Sequence, residues 1–189
     1  MKTIVLGVTG SIAAYKAADI VNALVKKSYN VYVVMTDAAK KFITEETMRV
    51  LSKNRVYCDV FDDDAFGSSA LGNNGERGVT HIELAKNANA IVIAPASATT
   101  LAKIAHGFAD NMLSAVVLAR RQNTPVIIAP AMNTAMYENE ITQENIATLQ
   151  KRGFTFVEPR ESLLACGDLG KGALAEVEVI VNTIEKIVS

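Results

Sequence analysis

Four short runs in this chain contain almost nothing but apolar residues: "KTIVLGV" (2–8), "NVYVVMT" (30–36), "ANAIVIAP" (88–95) and "TPVIIAP" (124–130). None shows the in–out alternation of a strand with one wet face. Runs of this kind suit parallel strands covered on both sides. Two shorter candidates, "RVYCD" (55–59) and "FTFVE" (154–158), bring the set to six. Between them lie helical patterns at 11–28, 44–52, 97–106, 111–121, 138–152 and 174–188. In the first, Ala14, Ala17, Ala18, Val21, Leu24 and Val25 recur at helical spacing. The alternation predicts an α/β fold, a doubly wound, Rossmann-like, mostly parallel six-stranded sheet with right-handed crossovers.

Length and composition narrow the function classes. The 189 residues are half apolar, enough for one domain, 1–189, with a real core. Net charge is −1 and the basic residues are scattered, which argues against a nucleic acid or an acidic membrane as partner. Two distant cysteines, Cys58 and Cys166, make no disulfide framework. No apolar run reaches membrane-spanning length. The opening "MKTIVLGVTGSIAAYK" is interrupted by Gly7, Gly10, Ser11 and Lys16 and lacks a cleavage pattern, so it reads as structure rather than a signal peptide. A reduced, cytoplasmic setting is expected. Two segments break the rhythm. "DDDAFGSSALGNNGERG" (62–78) reads as a mobile surface loop, and 160–175, entered through Pro159, as a flexible flap over a ligand.

Ligands of open α/β sheets bind beyond the carboxyl ends of the strands, at the reversal of strand order. In "GVTGSIAAYK", Gly10 permits a tight turn and Ser11 is placed to cap a helix whose free N–H groups would face an anion. The same residues also describe an ordinary strand-to-helix turn. Thr9 occupies the place of the second glycine of a dinucleotide fingerprint, which disfavours dinucleotide binding. Thr36 offers a hydroxyl after the second strand, and Thr36–Asp37 reads equally well as a helix cap. "PASATTLAK" groups Ser97, Thr99 and Thr100 before another helix, again either a polyoxygen-anion site or a simple cap. In "PAMNTAMY", Asn133 is a crevice amide or a helix cap, with Met132 and Met136 beside it. His81, in "GVTHIELAKNA", is one of two histidines and stands as a catalytic or a structural residue. His106 reads as a structural or surface residue, and Cys58 as a structural one. No metal-ligand cluster is apparent.

Together these segments resemble the homo-oligomeric flavin-containing cysteine decarboxylases. "PASATT" is similar to that family's PASANT motif and "PAMNTAMY" to PxMNxxMW. His81 falls where the essential histidine lies, and "ACGDLGKGALAE" (165–176) resembles the ACGDxGxGRMAE flap. The likeness runs over essentially the whole chain in the same order. Thr99 departs from the motif asparagine, Tyr137 from the tryptophan, and Ala173–Leu174 from an Arg-Met pair. Lys171 and Arg160 are the cations nearby that can take over the clamping of an anion.

The resemblance implies a flavoprotein-type fold and FMN as cofactor, held by Gly10, Ser11, Ile12, Thr36, Ser97, Ala98, Thr99, Thr100 and Ala131. It implies decarboxylation of 4′-phosphopantothenoylcysteine to 4′-phosphopantetheine in coenzyme A biosynthesis, by way of a thioaldehyde and an ene-thiol. His81 and Cys166 would be catalytic; Asn133, Met136, Ala165 and Gly167 would bind substrate. Cys166 would donate the last proton from the Gly-rich flap, with Asp168 fixing its closed form. Assembly as a homo-oligomer, trimer or dodecamer, is also implied. Ending near Ser189, the chain resembles the stand-alone enzyme rather than a fusion with a ligase domain. Competing readings are a flavin prenyltransferase, a peptide cysteine decarboxylase, a non-catalytic FMN-binding regulatory subunit and an NAD-dependent reductase.

Overall fold

The computed structural model describes residues 1–60, 80–163 and 169–189. The expected loop 62–78 and the central flap residues Ala165, Cys166, Gly167 and Asp168 lie outside the described residues. All six expected strands form: β1 (Thr3–Val8), β2 (Asn30–Met35), β3 (Val56–Tyr57), β4 (Ala90–Ala96), β5 (Val126–Pro130) and β6 (Thr155–Phe156). They make one parallel sheet in the order β3-β2-β1-β4-β5-β6. The helices are α1 (Lys16–Lys26), α2 (Glu45–Ser52), α3 (Thr80–Asn87), α4 (Ala98–Ala105), α5 (Met112–Ala119), α6 (Thr134–Glu138), α7 (Glu140–Lys151) and α8 (Val177–Val188).

Successive strand residues point to opposite faces of a sheet, so an all-apolar strand feeds two cores. Ile4, Leu6 and Val8 of β1 pack with Val21 and Leu24 of α1, Met48 of α2 and Ile184 of α8. Val5, between them, joins the other layer, built from Leu84 of α3, Leu101 of α4, Val116 of α5 and Leu149 of α7. Every one of these residues is essentially inaccessible to water. The chain winds outward from β1 to β3 over the first face. It then returns to β4, beside β1, and winds the other way over the second. The carboxyl ends of β1 and β4 therefore flank the crevice where the order reverses.

Three elements differ from expectation. Helix α3 buries the adjacent residues Leu84 and Ala85, which draw no helical stripe; packing against α5 holds it in place. Helix α6 is a five-residue turn, too short to show a period, and Asn139 starts α7 afresh by accepting from the Ile141 N–H at 3.0 Å. The segment read as a flexible flap contains an antiparallel hairpin, β7 (Arg160–Leu163) with β8 (Leu169–Ala173). Its glycines permit close approach: a Cβ on Gly172 would collide with the Met132 carbonyl oxygen. The Met132 N–H donates to the Gly172 carbonyl at 2.9 Å, fastening β8 to the chain leaving β5.

Gly7 tests the packing of β1 on the second layer. A Cβ there would lie 2.8 Å from Leu113 Cδ2 and closer still to Cδ1, on the buried side of α5. Gly7→Ala should cost about 1–3 kcal/mol through overpacking, read as a lower denaturant midpoint. Adding Leu113→Ala should cost less than it does alone. An unchanged midpoint in the single variant would show that α5 does not press on β1.

Candidate active site

At the reversal of strand order, a buried hydroxyl ties the two central strands together. Thr9, with no exposed surface, donates its O–H to the Pro95 carbonyl at 2.8 Å and accepts the Ser97 N–H at 2.9 Å. Each flanking chain then turns into a helix under a hydroxyl cap. Ser11 Oγ accepts from Ala13 N–H at 3.3 Å at the start of a 3₁₀ turn, Ile12–Tyr15. Ser97 Oγ accepts from Thr100 N–H at 3.3 Å at the start of α4 and donates to Thr100 Oγ1 at 3.1 Å. After β2, Thr36 Oγ1 accepts from Ala39 N–H at 3.3 Å. Both readings of these residues therefore hold: they are caps, and they surround the crevice.

A cleft of about 860 Å³ opens beyond these strand ends. Gly10, Ser11 and Ile12 line it from β1, Thr36 from β2, and Ser97, Ala98, Thr99 and Thr100 from β4. Ala131, Asn133 and Met136 line it after β5, and Arg160, Leu163 and Gly172 from the hairpin. Gly10 keeps the β1 and β2 loops in contact, since a Cβ there would sit 2.5 Å from that of Ala38. Ile12, Tyr15, Phe42, Met136 and Leu163 form an apolar rim, each at least 46% exposed. A flat ring system on that rim, with a polyoxygen anion at the hydroxyl-capped helix starts, is the ligand such walls suit.

Asn133 both lines the cleft and caps α6, its Oδ1 accepting from Ala135 N–H at 2.8 Å. His81 is different. It sits in the first turn of α3 and does not line this cleft; its Nδ1 is buried without a hydrogen-bond partner among the described residues. His106 ends α4 and is exposed, a surface residue as expected. Cys58 is half-buried, and burial, with Glu45 second, pushes its thiol up to about 12, so it is inert near neutrality.

Two residues were not singled out from the sequence. Thr9 registered only as the wrong residue for a glycine fingerprint; the available signal was a hydroxyl directly after an all-apolar strand. Glu158 belongs to no motif, yet it anchors the hairpin. Lys171 Nζ lies 2.7 Å from its Oε2, the Tyr137 O–H donates to that same oxygen at 3.1 Å, and the ammonium stands 5.5 Å from the centre of the Tyr137 ring. The hydrogen bond from Lys171 holds the Glu158 carboxyl below its usual range. The same bond raises Lys171. Burial, then Glu158, raises the Tyr137 phenol.

The chain belongs to the Flavoprotein family, whose profile matches residues 1–189. It is 51% identical over 185 residues to a Streptococcus mutans protein named "Probable phosphopantothenoylcysteine decarboxylase", covering 98% of each. It is 43% identical over 188 residues to the coenzyme A biosynthesis bifunctional protein CoaBC of Haemophilus influenzae, and spans 44% of that longer chain. Among solved structures, it matches a cysteine-to-serine variant of PPC decarboxylase complexed with pantothenoylaminoethenethiol. The TM-score is 0.84 at 34% identity, covering 98% of this chain and 97% of that one. The FMN binding protein AtHal3 matches with a TM-score of 0.80 at 34% identity, over 98% of this chain and 95% of that one.

Thr9→Val keeps the shape and deletes the hydroxyl. It should cost about 1–3 kcal/mol by stranding the Pro95 carbonyl and the Ser97 N–H, with faster amide exchange at Ser97. Unchanged stability and exchange would remove Thr9 as the link. The Glu158–Lys171 pair is largely solvent-exposed and is worth under about 1 kcal/mol. A lowered carboxyl pKa means its contribution is present above the ordinary glutamate value of about 4.3 and is lost as pH falls through the lowered value. Amide protection factors in 169–173 should drop on acidification in the wild type. In Glu158→Gln they should be low already at pH 7; equal protection in both proteins would count against the anchor.

Proposed function

We propose that this chain decarboxylates 4′-phosphopantothenoylcysteine to 4′-phosphopantetheine, the step that coenzyme A biosynthesis requires, with FMN bound in the cleft. One observation carries the reading: "PASATT", "PAMNTAMY" and the flap hairpin, distant in sequence, converge on one cleft. The chain's likeness to the decarboxylase-named relatives, sustained over its whole length, supports it.

The residues present fit FMN. Ser11, Thr36, Ser97, Thr99 and Thr100 offer hydroxyls and helix-start N–H groups to its phosphate and ribityl chain. Gly10, Ile12, Ala98 and Ala131 offer small or apolar surface to its ring. When bound, FMN supplies the reversible two-electron chemistry that turns the carbon β to the carboxylate into an electron sink. The protein contributes placement and protons. Asn133 is oriented by its cap bond through Oδ1, so its amide N–H end is the one to meet the substrate carboxylate. Met136 shapes the wall beside it. Ala165 and Gly167 are the flap residues assigned to substrate binding.

His81 takes the proton from the substrate thiol sulfur as the carbon is oxidised. Since His81 does not line the cleft among the described residues, we read it as presented to the substrate by a second copy of the chain. That reading calls for a homo-oligomer, a trimer or a dodecamer, working in the reduced cytoplasm. Among the described residues no helix is long and apolar enough to cross a membrane. Cys166 gives the final proton to the carbon that bore the carboxylate. The capture of an ethenethiol by a variant of PPC decarboxylase that lacks one cysteine supports a late role for a thiol.

Anaerobic mixing of the FMN-loaded protein with 4′-phosphopantothenoylcysteine should give a saturated product lighter by carbon dioxide. Cys166→Ser should yield a product lighter by two further hydrogens. Normal product from that variant would remove Cys166 from the chemistry. Bound flavin without turnover in the wild type would favour a prenyltransferase or a regulatory subunit.

A further inference from the structure

Among the described residues, the guanidinium that lines the cleft, Arg160, makes its one hydrogen bond through Nε. Three cations line the cleft among the described residues: Lys16, Lys103 and Arg160. Lys103 is paired with Asp110 at 2.5 Å, and Lys16 stands on the β1 side, next to the Ser11 turn. Arg160 comes from the hairpin, on the β5 side. Its Nε alone is committed, donating to the Leu174 carbonyl at 3.1 Å and lying 3.1 Å from Glu176 Oε1. Among the described residues its two Nη groups make no hydrogen bond, although Glu176 shares the charge of the guanidinium. Across the hairpin its register partner is Ala173, a small side chain that offers the fork no competing acceptor. Lys171, the other cation of the hairpin, is held by Glu158 and does not line the cleft.

A guanidinium tethered through Nε presents its remaining N–H groups as a fixed fork, the geometry that binds phosphate or carboxylate in bidentate fashion. The identity of the anion follows from the chemistry, given the activity proposed above, on which this inference rests. The carboxylate gives up its charge as carbon dioxide leaves, so a cation clamped on it would favour the ground state and slow the reaction. The substrate's terminal phosphate keeps its charge throughout and can be gripped without that penalty. Hydroxyl-capped helix starts at β1 and β4, two strands and one strand away from β5, already provide for a cofactor phosphate. We propose that Arg160 binds the terminal phosphate of the substrate and sets the preference for phosphorylated over unphosphorylated pantothenoylcysteine.

The test compares FMN-loaded wild type, Arg160→Ala, Arg160→Gln and Arg160→Lys on both substrates. Titration calorimetry with 4′-phosphopantetheine and with pantetheine runs alongside. Arg160→Ala and Arg160→Gln should raise KM for the phosphorylated substrate about ten- to hundredfold, with kcat little changed. The unphosphorylated substrate should be unaffected, and Arg160→Lys should fall between. Calorimetry should show the same loss for the phosphorylated compound only, and flavin content should match wild type. Equal losses on both substrates would mean Arg160 contacts the shared part of the molecule, and flavin loss would assign it to the cofactor; either overturns the proposal. A wild type that turns over neither substrate sinks the decarboxylase reading instead. Calorimetry then decides Arg160 by itself: equal affinity of wild type and variant for 4′-phosphopantetheine rejects the role.

Discussion

The frame of the site depends on one buried side chain that does not itself line the cleft. Parallel strands offer no hydrogen bonds to each other beyond their ends, so the loops leaving β1 and β4 would be free to splay where a ligand needs them fixed. Thr9 prevents this by donating to one residue of the β4 exit and accepting from another. The Ser97 N–H it holds belongs to the residue that caps α4, so the same bond sets where that helix begins. Because Thr9 is shut away from solvent, the geometry is bound to the integrity of that hydroxyl. Gly10 then brings the β1 loop against Ala38, adding the β2 exit to the same rigid frame.

The sheet was legible because each central strand is apolar on both faces, and only burial under two helical layers satisfies that pattern. Ser11, Thr36, Ser97 and Asn133 were legible as caps for a local reason: a side-chain oxygen just before a helix has a nearby N–H to accept from. What escaped had non-local causes. Helix α3 is stabilised by α5 rather than by a stripe of its own. The hairpin forms because Gly170 and Gly172 let β8 lie against Thr134 and Met132, contacts between segments that no spacing in the sequence links. The expectation of a Gly-hinged flap took those glycines for freedom, whereas at Gly172 the absent side chain makes room for a fastening. His81 stands out by its place in the chain, and its distance from the cleft is a property of packing alone.

The hairpin divides two jobs between two cations that the sequence presents as interchangeable. Lys171 meets Glu158 and Tyr137 and so holds the hairpin to the body of the protein. Arg160, two residues beyond Glu158 in the chain, is anchored at the hairpin root through Nε and lines the cleft. An ammonium is a compact point charge with no fixed direction of donation; a guanidinium bound through Nε still presents a planar pair of donors. A lysine at position 160 would keep the charge of the binder and lose its planar fork.

The ends of the chain meet far from all of this. Lys2, just before β1, reaches the carbonyl groups of Val188 and Ser189 at the end of α8, and Lys27 pairs with Glu185 beside them. Both termini thus lie at the edge of the sheet where the strands begin, while the cleft occupies the edge where they end. A polypeptide joined at either terminus would leave the molecule from its rear. Architecture of this kind can gain a partner domain by simple fusion without the newcomer standing in the doorway.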